Sequence, residues 1–378
     1  MQRKIVILIL VPLVGIWSCR EDFNPPAIKN PATLLVVDGF LNNGPDTTII
    51  RLSISRALAD TIPNIPENGA QLMIEDTVGN GLYAFQSLDG AGGYFVPGMQ
   101  LDPSSRYKLR IIRASGQQYL SDPITVTNTP PIDSISFTKT GKGLDIEANT
   151  HDPSNEAKYY RWDYSETWQY HAAFYSFLMV DNGAIVDRPP DQAVYECWRT
   201  QPSTQLYLGS TTNLSEDFVY HYVLRHIDQD ALELSIKYYC KVKQYALTKD
   251  AFAYFRNLKK VTEQTGSIFD ALPSELPGNI HAIDNPADLV IGYVTATNTM
   301  SKDIYITNED VQPWNYQSGC VLLQLPTSMI GTIVNGNGYI PLAWIGFGAS
   351  ITGVYAASYP CGDCRAYGGV TTKPPFWQ

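Results

Sequence analysis

Between residues 33 and 128 every apolar run is short and each stops at a turn signal, which leaves the chain little choice but strands. Thr33 to Leu41, Thr47 to Ser55, Ala70 to Asp76, Tyr94 to Val96, Arg106 to Ala114 and Gln118 to Val126 are rich in Val, Ile, Leu and Tyr. Asn42-Asn43-Gly44-Pro45, Asn68-Gly69, Gly79-Asn80-Gly81, Gly90 to Gly93 and Asp102-Pro103 separate them. Gly, Asn and Pro reverse the backbone because they tolerate or pre-set the dihedrals of tight turns. Tyr107, Leu109 and Ile111 alternate with Lys108, Arg110 and Ile112, as a strand with one buried and one wet face requires. Strands at this spacing predict an immunoglobulin-like β-sandwich over residues 33–128.

Thr129-Pro130-Pro131 interrupts the pattern and reads as a hinge before a second β unit, residues 129–378. Strands are expected at Ile132 to Phe137, Leu144 to Asn149, Phe218 to Arg225, Leu234 to Tyr245, Asp288 to Ala296 and Lys302 to Thr307. Tyr160, Trp162 and Tyr164 share one face of another strand, a layout similar to the third strand of a fibronectin type III domain. Thr167 to Ser215 fits no short sandwich loop and reads as an elaboration. One helix is expected: Thr248 can cap it, Asp250 sits in its first turn, and Phe252, Phe255, Leu258 and Val261 form a core-facing stripe. The fold class is therefore mainly β, two tandem immunoglobulin- or fibronectin-III-like sandwiches, the second elaborated with one amphipathic helix and long loops.

The N-terminus sets the compartment. Arg3 and Lys4 precede the apolar run Ile5 to Ile16, and Ile16-Trp17-Ser18 leads into Cys19. This run is shorter than the ~20 apolar residues needed to span a bilayer, so residues 1–18 read as a cleaved signal peptide. Ser18-Cys19 resembles the lipobox of bacterial lipoproteins, which implies that Cys19 is acylated and becomes the new N-terminus. Acyl chains stabilise membrane binding by ~0.8 kcal/mol per buried CH₂, enough for two or three chains to anchor a protein. Arg20-Glu21-Asp22 resembles a signal that sends lipoproteins to the outer face of the outer membrane. Residues 19–32, with Pro25, Pro26 and Pro31, read as an extended tether.

Removing residues 1–18 takes away Arg3 and Lys4 and no acid, leaving 25 basic residues against 37 acidic ones. Nucleic acid is not expected as a partner, because phosphate binding needs clustered Lys and Arg, and no such cluster occurs. Besides Cys19 there are five cysteines, Cys197, Cys240, Cys320, Cys361 and Cys364. Export favours disulfides, and an odd count leaves at least one thiol outside them. Cys361-Gly362-Asp363-Cys364 lacks a second ligand pair for zinc. It also lacks the strand-to-helix setting of a redox pair. A structural bridge is expected, either within the pair or to Cys320.

The succession of the lipobox, Val36-Val37-Asp38-Gly39, the Tyr254-to-Phe269 helix and loop, Pro277-Gly278-Asn279-Ile280, Ile291-Gly292-Tyr293, Cys361-Gly362-Asp363-Cys364-Arg365 with Gly368-Gly369, and Lys373-Pro374-Pro375-Phe376-Trp377 resembles a Bacteroidota lipoprotein family catalogued as domain of unknown function 4249. The resemblance implies an outer-membrane lipoprotein, often encoded beside a TonB-dependent receptor. It implies no established activity and, beyond the lipid cysteine, no functional residue.

Catalytic motifs are missing: no Gly-x-Ser-x-Gly elbow, no His-Glu-x-x-His and no phosphate-binding Gly-x-x-x-x-Gly-Lys occurs. His221 and His226, five apart in a strand, are expected on opposite faces. Asp228-Gln229-Asp230 with Glu233 offers oxygens to calcium but lacks the spacing of a calcium loop. No cofactor or metal is expected. Trp168, Tyr170, Phe174, Tyr175 and Phe177 are the sharper candidates, because exposed aromatic rings stack on sugars and peptide side chains. Of these, Trp168, Tyr170 and Tyr175 are taken as candidate ligand-binding residues, against the alternative that they fill the second sandwich. The expected function is a non-enzymatic, surface-exposed outer-membrane lipoprotein that binds a ligand or assists a TonB-dependent transporter. A structural or adhesive envelope protein is the alternative. A hydrolase using Asp187, Asp191 or Glu196 is the weakest reading, since any chain with 37 acids offers such sets.

Overall fold

A computed structural model describes residues 34–55, 65–263, 278–334, 336 and 338–378. Cys19, with the signal peptide and tether, lies outside the described residues. The fold is mainly β, and two sandwiches account for most of it.

In the first sandwich, one sheet is built on Leu35–Gly39, Thr48–Ile54 and Gly93–Val96. The facing sheet is centred on Arg106–Ile112. Gln71–Asp76 pairs along one side of this central strand, while Gln118–Ser121 and Ile124–Thr127 share the other. The alternation read from sequence holds: Tyr107, Leu109 and Ile111 are buried, together with Ile50, Leu52 and Ile74.

Residues 33–128 do not close this sandwich by themselves, which corrects the linear domain boundary. Ile280–Ala282 pairs with Tyr119–Ser121, and Val290–Ile291 runs parallel to Leu35–Val36. Ala296–Thr297 lies between Leu41–Asn42 and Val126–Thr127, parallel to both. The single strand expected at Asp288 to Ala296 is thus two short pieces, and both belong to the first sandwich. Ile280, Val290, Val294 and Ala296 are buried in its core. Close backbone approach demands glycine here: Gly292 has φ +140°, and a Cβ would collide with the Val37 carbonyl. The Asn279 side chain fixes the returning segment by accepting from Val294 N–H and donating to Val294 C=O, both at 2.8 Å.

The second sandwich packs a sheet ordered Ile132–Thr140, Gly143–His151, Phe218–Asp228 against one built on the long strand Tyr159–His171. Lys237–Ala246 flanks that strand on one side, and Tyr207–Ser210 followed by Glu196–Pro202 on the other. Inward-facing Tyr160, Trp162 and Tyr164 are buried as expected. Thr167 to Ser215 is only partly an elaboration. Its first five residues finish the core strand, and two further strands within it pair beside that strand, so only residues 172–195 leave the sandwich.

Thr129-Pro130-Pro131 joins the sandwiches without acting as a free hinge. Thr129 is buried; its N–H donates to Asn298 Oδ1 at 2.7 Å, its hydroxyl lies 2.7 Å from that of Thr297, and it accepts from Ala246 N–H at 2.9 Å. The helix Lys249–Glu263 begins where expected, with Ala251 N–H donating to Thr248 Oγ1 at 3.2 Å.

A third, smaller lobe carries the Leu178–Asp181/Ala184–Asp187 hairpin and a sheet ordered Leu323–Pro326, Gly353–Ser358, Tyr339–Ile345. Disulfides Cys320–Cys361 and Cys197–Cys364 fasten it internally and to the second sandwich. Cys361 and Cys364 are therefore not joined to each other, and Cys364 takes Cys197, a partner the spacing did not suggest. Cys240 is a buried free thiol.

Candidate functional site

The long strand Tyr159–His171 decides where its aromatic rings go. Side chains alternate across a strand, so the parity that buries Tyr160, Trp162 and Tyr164 also buries residues 168 and 170. Trp168 is 3% exposed and Tyr170 0%, which corrects their assignment as ligand-binding residues. The Arg199 guanidinium lies 5.4 Å from the Trp168 ring centroid, and the Tyr170 hydroxyl donates to Cys364 C=O at 2.7 Å. Both are packing residues.

Beyond His171 the chain leaves the sheet, and the rings come to the surface. Tyr175 is 44% and Phe177 60% exposed. They form a ledge of four rings in contact. His171 stacks on Tyr195 with centroids 4.4 Å apart, Tyr195 meets Tyr175 at 5.2 Å, and Tyr175 meets Phe177 at 4.5 Å. The backbone beneath is pinned at several points. Ala172 N–H donates to Tyr195 C=O at 2.7 Å, Phe174 N–H to Cys361 C=O at 2.9 Å, and Phe177 N–H to Leu342 C=O at 2.8 Å. Glu196 lies 3.5 Å from His171 Nε2 and also accepts from the Gln169 amide.

At its His171 end the ledge opens into a cleft of about 530 Å³. Ser235, Asn308, Asn315, Gln317 and Ser318 line it with amides and hydroxyls, and no lining residue is Asp, Glu, Lys or Arg. Ser235 Oγ is buried and makes no hydrogen bond among the described residues. Burial holds the Tyr316 phenol above its ordinary pKa, keeping it a neutral donor. Stacking faces beside uncharged hydrogen-bonding groups suit a neutral polar ligand with apolar faces. Of the three predicted aromatics only Tyr175 stands in this site. His171 and Tyr195 were missed because the antiparallel pairing of Tyr159–His171 with Glu196–Pro202, not the sequence spacing, brings them together.

The other candidates are dispersed. Asp187 and Asp191 are exposed and make no side-chain hydrogen bond among the described residues, whereas Glu196 supports His171. Asp230 accepts from Asn315 N–H at 2.7 Å and from the Gln229 amide at 2.8 Å. No group of three or more His, Cys, Asp or Glu able to hold a metal occurs among the described residues. His221 and His226 share one face rather than opposite ones. The pairing slips by one residue between Arg225 and Val223, and this bulge reverses the alternation. Their rings meet Glu147 and Asp145, neighbours on one side of the adjacent strand.

The family model described as "Domain of unknown function (DUF4249)" matches residues 20–303. No curated protein matches the chain. Among solved structures, Escherichia coli alpha-2-macroglobulin activated by porcine elastase is 13% identical over 57% of this chain and 18% of that one, with a TM-score of 0.19. The trypsin-activated form of alpha-2-macroglobulin from Escherichia coli is 12% identical over 58% and 15%, TM-score 0.19. A structure of Gaeumannomyces graminis manganese lipoxygenase with partial Komagataella pastoris zonadhesin is 9% identical over 58% and 91%, TM-score 0.15. The chain spans under a fifth of the macroglobulin chains, and likenesses this slight support no inference.

Proposed function

The chain belongs to the DUF4249 family, and from that premise we propose that it is a non-enzymatic ligand-binding lipoprotein, held to the outer membrane through Cys19 and serving a TonB-dependent transporter. The observation that carries the binding role is the four-ring ledge of His171, Tyr195, Tyr175 and Phe177 opening into an uncharged, amide-lined cleft. Exposed rings in contact are costly to leave in water unless something covers them. A neutral oligosaccharide fits this pairing, because sugar rings present C–H faces to aromatics and hydroxyls to amides. Lipid attachment rests on Ser18-Cys19 and the signal before it, and the transporter partnership on the family resemblance.

Two experiments test the proposal. Calorimetric titration with a panel of neutral oligosaccharides should find a binder whose affinity falls about tenfold or more in Tyr175→Ala/Phe177→Ala, each ring contact being worth ~0.5–1.5 kcal/mol. Unchanged affinity in a normally folded double variant removes the site. Native pull-down of the full-length protein should bring down a TonB-dependent barrel and, in Cys19→Ser, lose the protein from the membrane fraction. Recovery without a barrel favours a spacer or adhesin instead.

A further inference from the structure

A second cleft, of about 560 Å³, lies in the small lobe and differs chemically from the first. Met179 and Val180 of the hairpin form one wall; Ile333, Ile340 and Pro341 extend the apolar surface. Its polar groups converge from two sides, Arg188 following the hairpin and Tyr359, Asp363 and Arg365 around the two disulfides. That second side is internally balanced. Arg365 holds Asp363 through Nε at 3.0 Å and Nη2 at 2.7 Å, and the Tyr359 hydroxyl donates to Asp363 at 2.7 Å. Burial pushes the Asp363 carboxyl up, but these bonds outweigh it and hold the group ionised below its ordinary range.

Arg188 is different. Its guanidinium donates to Ser176 C=O at 3.1 Å, Ser176 Oγ at 3.1 Å, Leu178 C=O at 2.9 Å and Gln192 C=O at 3.4 Å, all neutral acceptors. Among the described residues no carboxylate forms an ion pair with it, and burial lowers its pKa, the Asp363 charge offsetting this only in part. The charged groups lining the cleft are thus one balanced pair and one guanidinium without a counter-charge. Four of its five N–H donors are spent on these neutral acceptors, which fixes the guanidinium and leaves one Nη1 N–H and the positive charge for a carboxylate. The volume falls within the ~300–1,000 Å³ common for small-molecule sites.

We propose that this cleft binds a small amphiphile bearing a single carboxylate, with its head on Arg188 and its apolar body along Met179, Val180, Ile333 and Ile340. The ligand chemistry differs from that of the aromatic ledge, although both sites rest on the Tyr175-to-Leu178 segment that Arg188 holds, and the site would stand if the oligosaccharide reading failed.

Calorimetry on the soluble chain with octanoate, octan-1-ol and acetate tests it. Octanoate should bind about tenfold or more tightly than octan-1-ol, and acetate should give no measurable heat, because head and tail are both required. Arg188→Met keeps the side chain's bulk but removes its charge. It should weaken octanoate about tenfold while leaving octan-1-ol little changed. Val180→Trp, at a partly exposed wall position away from the Arg188 bonds, should occlude the cleft and abolish both. Equal binding of octanoate and octan-1-ol, unchanged octanoate affinity in either folded variant, or no octanoate binding by the native chain overturns the proposal. Should Arg188→Met fail to fold, the ligand comparison and Val180→Trp still decide.

Discussion

Cys240 is the cysteine left once Cys197–Cys364 and Cys320–Cys361 are made. An odd count announced such a thiol, but which residue it would be was not legible, since pairing partners are set by the fold. Burial, with the Glu166 charge adding to it, pushes the Cys240 thiol up to about 12, far from the thiolate that reacts. A soluble form lacking Cys19 should therefore give no reaction with a disulfide reagent when native and one thiol per chain in guanidinium. Native reactivity would contradict the pairing. His151 offers a pH test. Hydrogen bonding to Asp133 at 2.8 Å, reinforced by its charge, raises the imidazole above its ordinary 6.5. A raised folded pKa means that this pair stabilises fully below 6.5 and loses its contribution as pH rises through the folded value. An NMR titration should place the His151 midpoint above 6.5, and Asp133→Asn should return it toward 6.5. At this scale Tyr175 was identifiable as an exposed ring, while Trp168 and Tyr170 were misread because aromatic character alone does not say which face a side chain takes.

For the element, the strand Tyr159–His171 explains that misreading. Glu166 faces inward between Tyr164 and Trp168 and is 2% exposed, so one charged residue interrupts an otherwise aromatic face. Its neighbours satisfy it. The Tyr238 hydroxyl donates at 2.7 Å, the Gln201 amide at 2.8 Å and Arg225 Nε at 3.0 Å. Removing Glu166 leaves the half-buried Arg225 with Glu233, at 3.3 Å, as its remaining carboxylate. Glu166→Leu should cost about 3 kcal/mol in urea unfolding, the low end of the range for buried pairs, because a quarter of the Arg225 side chain reaches water. Adding Arg225→Met should restore most of that loss, and no recovery would mean the two residues do not act as a pair. The helix Lys249–Glu263, by contrast, was legible in its start and length, although Ala251 and Tyr254 are buried beside Phe255 while Phe252, Leu258 and Val261 of the expected stripe are only half-buried. Its cap and apolar spacing are local signals, and Thr248→Ala should destabilise it by ~1 kcal/mol.

For the whole molecule, the least legible feature is the return of residues 278–297 to the first sandwich. Two-residue strands such as Val290–Ile291 and Ala296–Thr297 carry no readable period, and their partners lie more than 160 residues away in sequence. Their register is fixed by close packing at Gly292 and by the Asn279 bonds to Val294, neither of which marks a strand in sequence. The energetic consequence is large. Ile280, Val290 and Val294 are buried, and each side chain contributes ~1.5–3 kcal/mol by leaving water. Their sum is comparable to the ~5–15 kcal/mol that holds a domain folded. Without them Leu41, Tyr119 and Val126 would lose their cover, and Leu35–Gly39 would become an open edge. A fragment of residues 34–128 should therefore show no cooperative thermal transition and poorly dispersed amide resonances. The same fragment joined through a Gly/Ser linker to residues 278–298 should recover both. A cooperative melt by the shorter fragment would mean that the first sandwich is autonomous, with residues 278–297 merely docked against it. The expected failure would instead mean that the chain must emerge beyond residue 297 before its first sandwich can close, so folding of the two sandwiches is coupled through one excursion and return.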